Sequence, residues 1–260
     1  MRDMRSFVFL WLTTIASAAA QPVPVRIILV GDSTVAPING WGSGFCADVA
    51  PEVTCINMAK NGRSTSTYRA EGSWAQVMEL LKHSSNFHAT YVLIQFGHND
   101  QPGKPGRSTD LATEFPGNLH QYVQEAKNAG ARPVLITSLT RRSFQNGKLK
   151  NDLEAWAAAT KKVAMEEGIP VLDLNSDSAA AVQRMGPVEA NLLATSPPPP
   201  SVLETQASGT SIPAPKTEVE GGAPPFDYTH LGAKGAALFG RMVAQELIEA
   251  VPDLRPYVRL

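Results

Sequence analysis

Five stretches of the chain are almost continuously apolar and rich in β-branched residues: 25–30, 53–58, 91–96, 133–137 and 170–174. The first and third stop at Gly31 and Gly97. Short apolar runs of this kind predict strands covered on both faces. Between them, apolar residues recur at helical spacing. Trp74, Val77, Met78 and Leu81 follow i, i+3, i+4, i+7, and so do Leu119, Tyr122, Val123 and Ala126, ahead of a helix stop at Gly130. Two further helices are predicted over 153–167 and 233–250. Strands alternating with helices place the chain in the α/β class, as a three-layer α/β/α sandwich on a five-stranded parallel sheet. Loops at the carboxyl ends of such strands are where function gathers.

Two stretches depart from this alternation. Residues 196–225 hold eight of the twenty prolines and no aromatic residue. They predict an extended, polyproline-like excursion or a disordered loop inserted within one domain that runs from 21 to 260. At the other end, Arg2 and Arg5 precede the apolar run from Phe7 to Leu12, which passes through Ile15 into Ala16-Ser17-Ala18-Ala19-Ala20. That is the pattern of a cleaved export signal over residues 1–20, cut after Ala18 or Ala20. A membrane anchor is the alternative, but a spanning helix needs roughly 20 predominantly apolar residues and this run is shorter. The mature chain is thus expected to be secreted or periplasmic, off the membrane and monomeric. Cys46 and Cys55 suit an oxidising compartment, either as one disulfide or as two small buried apolar residues. With 23 basic and 24 acidic side chains the net charge is -1, which argues against nucleic acid as a partner.

Chemistry-bearing residues cluster after the strands. Gly31-Asp32-Ser33-Thr34 follows the first, Asn61-Gly62-Arg63-Ser64 the second, and Gly97-His98-Asn99-Asp100 the third; Asp227-Tyr228-Thr229-His230 precedes the last helix. Each block alone has a plain reading: a turn, a loop, a helix cap, a surface histidine. Together, Ser33, Gly62, Asn99 and His230 stand in order in the four blocks, and the sequence resembles the SGNH (GDSL-type) hydrolases from Arg26 to about Ala250. Within them it looks most like the rhamnogalacturonan acetylesterases, on Ser33-Thr34, on Arg69-Ala70-Glu71-Gly72 and on the segment from Arg141 to Leu149. The resemblance implies the flavodoxin-like SGNH hydrolase fold. It also implies a serine esterase that needs no cofactor and removes acetyl groups from an acetylated plant polysaccharide.

Ester chemistry assigns roles to these residues. A neutral serine hydroxyl needs an adjacent base, which His230 can supply. Asp227, three residues earlier, can accept the other imidazole N–H and fix the tautomer. The resemblance implies an oxyanion hole built from the backbone N–H groups of Ser33 and Gly62 and the Asn99 side-chain amide. Asp32 is expected to bond the turn backbone and Asp100 to brace the Asn99 loop. No His-x-x-x-His or Cys/His cluster supports a metal, and His83, His88 and His120 are expected to be surface or satisfied histidines. Substrate contacts are expected at Trp41, close to the serine loop, at Arg63, and at Arg141 and Arg142. Trp41 and Trp74 have packing as their plain alternative. The segment from Arg141 to Lys150 carries four basic residues and no acid. It is either a solvated basic loop or a receptor for the galacturonate carboxylates of pectin. Another SGNH esterase, acting on xylan or on lipid and thioester substrates, is the next reading. A non-catalytic polysaccharide-binding protein is the third; it predicts decay of the Ser33, Asp227, His230 set, and that set is complete.

Overall fold

A computed structural model describes residues 24–206, 208–211 and 226–260. The expected export signal lies outside these residues, as do positions 207 and 212–225 of the Pro-rich insertion. Strand β1 (Val25–Gly31) leads through helix α1 (Gly42–Ala47) to β2 (Val53–Asn57). Helices α2 (Thr65–Ala70) and α3 (Ser73–Leu81) follow, then β3 (Ala89–Gln95), α4 (Glu114–Asn128) and β4 (Arg132–Ile136). A two-residue-per-arm hairpin of β5 (Phe144–Gln145) and β6 (Lys148–Leu149) precedes α5 (Glu154–Glu167), β7 (Val171–Leu172), α6 (Leu174–Asn191), α7 (Pro200–Gln206) and α8 (Ala233–Ala250).

The main sheet is five-stranded and parallel throughout, in the order β2-β1-β3-β4-β7. The unbroken apolar runs follow from cover on both faces. Successive strand side chains point to opposite sides, so Ile27 and Leu29 join one core with Phe45 of α1, Val182 of α6 and Val243 and Leu247 of α8. Ile28 and Val30 join the other, with Tyr68 of α2, Val77 of α3, Leu119 and Tyr122 of α4 and Val163 of α5. Each such side chain withdrawn from water contributes about 1.5–3 kcal/mol. The result is the three-layer α/β/α sandwich. The chain leaves β1 toward β2 on one side and later pairs β1 with β3 on the other. The carboxyl ends of β1 and β3 therefore flank the point where the winding reverses, the usual place for a ligand in such sheets.

Three local features differ from, or add to, the sequence-based expectation. Part of the insertion is helical rather than extended. Proline suits the first turn of a helix, where its missing N–H has no partner to lose, and Pro200 opens α7, whose Val202 packs with Ala194, Phe226 and Tyr228. Residues 208–211 then run along the β5–β6 hairpin. Gly147 N–H donates to Gly209 O at 2.9 Å and Ser211 N–H to Phe144 O at 2.9 Å. The hairpin itself sits in the segment from Arg141 to Lys150, expected to be either a solvated basic loop or a receptor for galacturonate carboxylates. Asn146 and Gly147 form its turn with φ of 51° and 76°, the two positive values a type I′ turn requires. Cys46 and Cys55 are joined as a disulfide with a Cα–Cα distance of 5.7 Å, closing α1 onto β2. Among the described residues, no helix is long and apolar enough to cross a membrane.

Candidate active site

The loop after β1 turns sharply. Asp32 O accepts from the N–H groups of Val35 (3.2 Å) and Ala36 (3.1 Å). Beneath the turn, Asp32 Oδ1 accepts from both the N–H (2.8 Å) and the hydroxyl (2.7 Å) of Thr34. Burial works against the Asp32 carboxylate, but His98 and the Thr34 donors together outweigh it and hold its pKa below the usual range. His98 lies 3.5 Å away. Its own pKa is lowered, chiefly by burial, with Asp32 opposing. This buried support raises Ser33 to the carboxyl-end rim of the sheet.

The loop before α8 supplies the partners. His230 Nε2 lies 2.7 Å from Ser33 Oγ, across 197 positions of sequence. Its Nδ1 lies 2.8 Å from Asp227 Oδ2. The second Asp227 oxygen accepts the N–H groups of Thr229 and His230, each at 2.9 Å. Burial raises the cost of charge on Asp227, but the His230 ring and these two N–H groups overcome it, and its pKa falls far below the carboxylate range. Asp227 is thus an anion that accepts from Nδ1–H. That fixes the tautomer in which Nε2 is free to take the Ser33 proton. The cap of α8 is Gly232, with no side-chain capping bond, so Asp227 does not serve as its cap. Leu231 N–H donates to Asn39 O at 2.8 Å and ties this loop to the serine loop.

Charge developing on a carbonyl oxygen near Ser33 Oγ would meet donors from three loops. Gly62 adopts φ +76°, the left-handed region that glycine enters without penalty. Among the described residues, neither the Ser33 nor the Gly62 N–H has an acceptor. Asn99 Nδ2 gives one hydrogen to Arg63 O at 3.1 Å, and its Oδ1 accepts from Arg107 at 3.4 Å. The amide is thereby oriented with one N–H left over. Asp100 anchors the same loop to the start of α2, accepting from Thr65 N–H (3.0 Å), Thr65 Oγ1 (2.5 Å) and Thr109 Oγ1 (2.9 Å). Burial pushes its pKa up to about 6 despite these donors.

The model of the GDSL-like lipase/acylhydrolase family matches residues 29–238. The chain belongs to that family. It is an esterase. Rhamnogalacturonan acetylesterase RhgT of Bacillus subtilis is 36% identical over 178 residues, 65% of this chain and 73% of that protein. A solved Bacillus subtilis protein, YxiM, superposes with a TM-score of 0.62 at 23% identity, over 89% of this chain. The match spans 58% of that protein, so the present chain covers little more than half its length. The acetylxylan esterase Axe2 from Geobacillus stearothermophilus superposes with a TM-score of 0.57 at 15% identity, over 87% of this chain and 96% of that one. At these identities the two structures show a shared fold.

Two residues expected to touch substrate in this GDSL-like esterase do not face it. Trp41 is fully buried. Its indole N–H donates to Gln95 Oε1 at 2.9 Å, and Gln95 Nε2 donates to Thr34 Oγ1 at 2.6 Å. Trp41 therefore ends a buried relay that supports the serine turn, which leaves no ring face for a sugar. Arg142 is only 1% exposed. Its guanidinium donates to the carbonyls of Asp227 (2.8 Å), Thr229 (3.3 Å) and His230 (2.8 Å). Arg63 and Arg141 stay near the surface, but each is paired. Arg63 binds Glu71 at 2.6 Å and Asn61 O at 2.8 Å. Arg141 binds Asp152 at 2.7 Å and Thr229 Oγ1 at 3.3 Å. Gln95, Thr65 and Arg107 support the site without having been anticipated. Gln95 had a visible signal, as the one polar residue in the apolar run of the third strand.

Proposed function

We propose that this esterase removes O-acetyl groups from a rhamnogalacturonan-type pectin through an acyl-enzyme formed on Ser33. The observation that carries the reading is the unbroken relay Ser33 Oγ···Nε2 His230 Nδ1···Oδ2 Asp227, at 2.7 and 2.8 Å. The acetylated pectin substrate rests on the likeness to the Bacillus subtilis rhamnogalacturonan acetylesterase. His230 takes the Ser33 proton as Oγ bonds to the acetyl carbonyl carbon. The resulting oxyanion is met by the N–H groups of Ser33, Gly62 and Asn99, each such donor being worth about 10²–10³ in turnover. Collapse breaks the bond to the sugar oxygen, which leaves with the proton from His230. Water then repeats the sequence on the acetyl-serine and releases acetate.

We infer also that the chain acts outside the cytoplasm. The export pattern over 1–20 and the Cys46–Cys55 disulfide both support this. The deciding experiment is acetate release from acetylated rhamnogalacturonan and acetylated xylan by the wild type and Ser33→Ala. Serine-dependent release that favours the pectin is expected. Faster release from xylan overturns the substrate, and release that persists in Ser33→Ala overturns the mechanism.

A further inference from the structure

Arg142 lies on the loop between β4 and β5, yet its polar contacts are with a block about 85 positions away. Its guanidinium takes the carbonyls of Asp227, Thr229 and His230, and its own backbone N–H donates to Tyr228 O at 2.9 Å. One residue therefore occupies all four carbonyls of the block that carries the base and its acid partner. Asp227 fixes the block from inside, through two N–H groups and the imidazole; Arg142 fixes it from outside. The Ser33 to His230 contact itself spans loops at opposite ends of the chain. Its length therefore depends on where the 227–230 turn is held.

We propose that Arg142 is the positioning residue of the catalytic turn: its planar fork holds the carbonyls of 227–230 so that His230 Nε2 stays within hydrogen-bond reach of Ser33 Oγ. A lysine does not reproduce this, because it presents one ammonium where the guanidinium presents several donors in a fixed plane. Burial lowers the Arg142 pKa to about 10, with Asp227 opposing, so the guanidinium remains charged at neutral pH. Arg142 acts through His230 and touches no substrate. Its loss is therefore read in turnover rather than in binding. The inference rests on the Ser33, His230, Asp227 reading.

The test compares Arg142→Lys and Arg142→Met with wild type and Ser33→Ala on p-nitrophenyl acetate, with rates referred to the folded fraction from urea unfolding curves. Displacing a catalytic group by about 1 Å costs on the order of 10²-fold. We expect kcat to fall about 100-fold in Arg142→Met and about 10-fold in Arg142→Lys, with KM within about twofold of wild type. Should Arg142→Met not fold, Arg142→Lys alone decides. A folded Arg142→Lys with wild-type kcat overturns the proposal. So does a raised KM at unchanged kcat, which would make Arg142 a substrate contact. Failure of the underlying mechanism shows separately, as wild-type turnover that Ser33→Ala retains.

Discussion

The most exacting test of the relay is Asp227→Asn, because the surrounding bonds dictate which way the new amide faces. Asp227 Oδ1 accepts two backbone N–H groups, from Thr229 and His230. An asparagine keeps both only by placing its carbonyl oxygen there. Its NH2 must then take the place of Oδ2, 2.8 Å from His230 Nδ1. Two donors cannot share that contact, so Nδ1 must become an acceptor and the ring proton must move to Nε2. Nε2 then offers a hydrogen to Ser33 Oγ instead of a lone pair. The nucleophile loses its base although no heavy atom has moved. In serine hydrolases a wrong tautomer of this kind costs about 10⁴ in kcat, or roughly 5 kcal/mol of barrier. The backbone bonds survive but lose the carboxylate charge that the fold favours, so some stability is lost as well and turnover is referred to the folded fraction. The assay is p-nitrophenyl acetate turnover at pH 7.5 beside a urea unfolding curve. Folded Asp227→Asn with kcat within about tenfold of wild type would refute the tautomer argument.

Two further substitutions probe the buried supports. Trp41→Phe keeps an aromatic ring in the core, though a smaller one, and strips the only donor that Gln95 Oε1 has among the described residues, leaving a buried acceptor unpaired. Unfolding experiments should show a loss of about 1–3 kcal/mol, with KM for the polysaccharide unchanged; raised KM at full stability would return Trp41 to the substrate site. Glu246 of α8 is buried, and among the described residues neither of its oxygens has a hydrogen-bond partner. Burial first, then Asp177, Asp173 and Glu249, raise its pKa to about 8. Between the ordinary glutamate value and about 8, the folded chain holds a proton that the unfolded chain releases, so stability falls as pH rises through that window. Glu246→Gln removes this loss. Its melting temperature should gain on wild type by at least about 2 °C between pH 5 and pH 8.5, whereas an equal offset at both pH values would disprove the assignment.

The parts of this molecule that were legible in the sequence are those whose signal is local. Cover on both faces makes a strand apolar throughout, so all five strands of the sheet declare themselves, and α3, α4, α5 and α8 show their stripes at helical spacing. Helix α6 does not: its buried face is built from Leu174, Ser178, Ala181 and Val182 among small residues, and the backbone leaves the helical conformation at Gly186. The β5–β6 hairpin carried its signal in Asn146-Gly147, but the basic residues around that pair invited an electrostatic reading instead. Helix α7 was hidden because four consecutive prolines suggest an extended chain, although the last of them opens a helix.

The same division runs through the site. Asp227 and His230 are three residues apart, so once the resemblance singles out their block the short spacing lets them pair. The supports lie far apart: Thr34 with Gln95 across 61 positions, Thr65 with Asp100 across 35, Arg142 with Asp227 across 85. No spacing rule connects such pairs, because only the assembled sheet brings them together. Arg142 shows the consequence most directly. In the sequence it stands beside Arg141, and both read as candidates for an anionic sugar. In the fold, the carbonyls of 227–230 take both terminal nitrogens and the backbone N–H of Arg142, while Arg141 pairs with Asp152. A guanidinium binds whichever acceptors are nearest and least hydrated. Whether these belong to a substrate or to the protein's own backbone is decided by burial, a property of the assembled structure rather than of the residue.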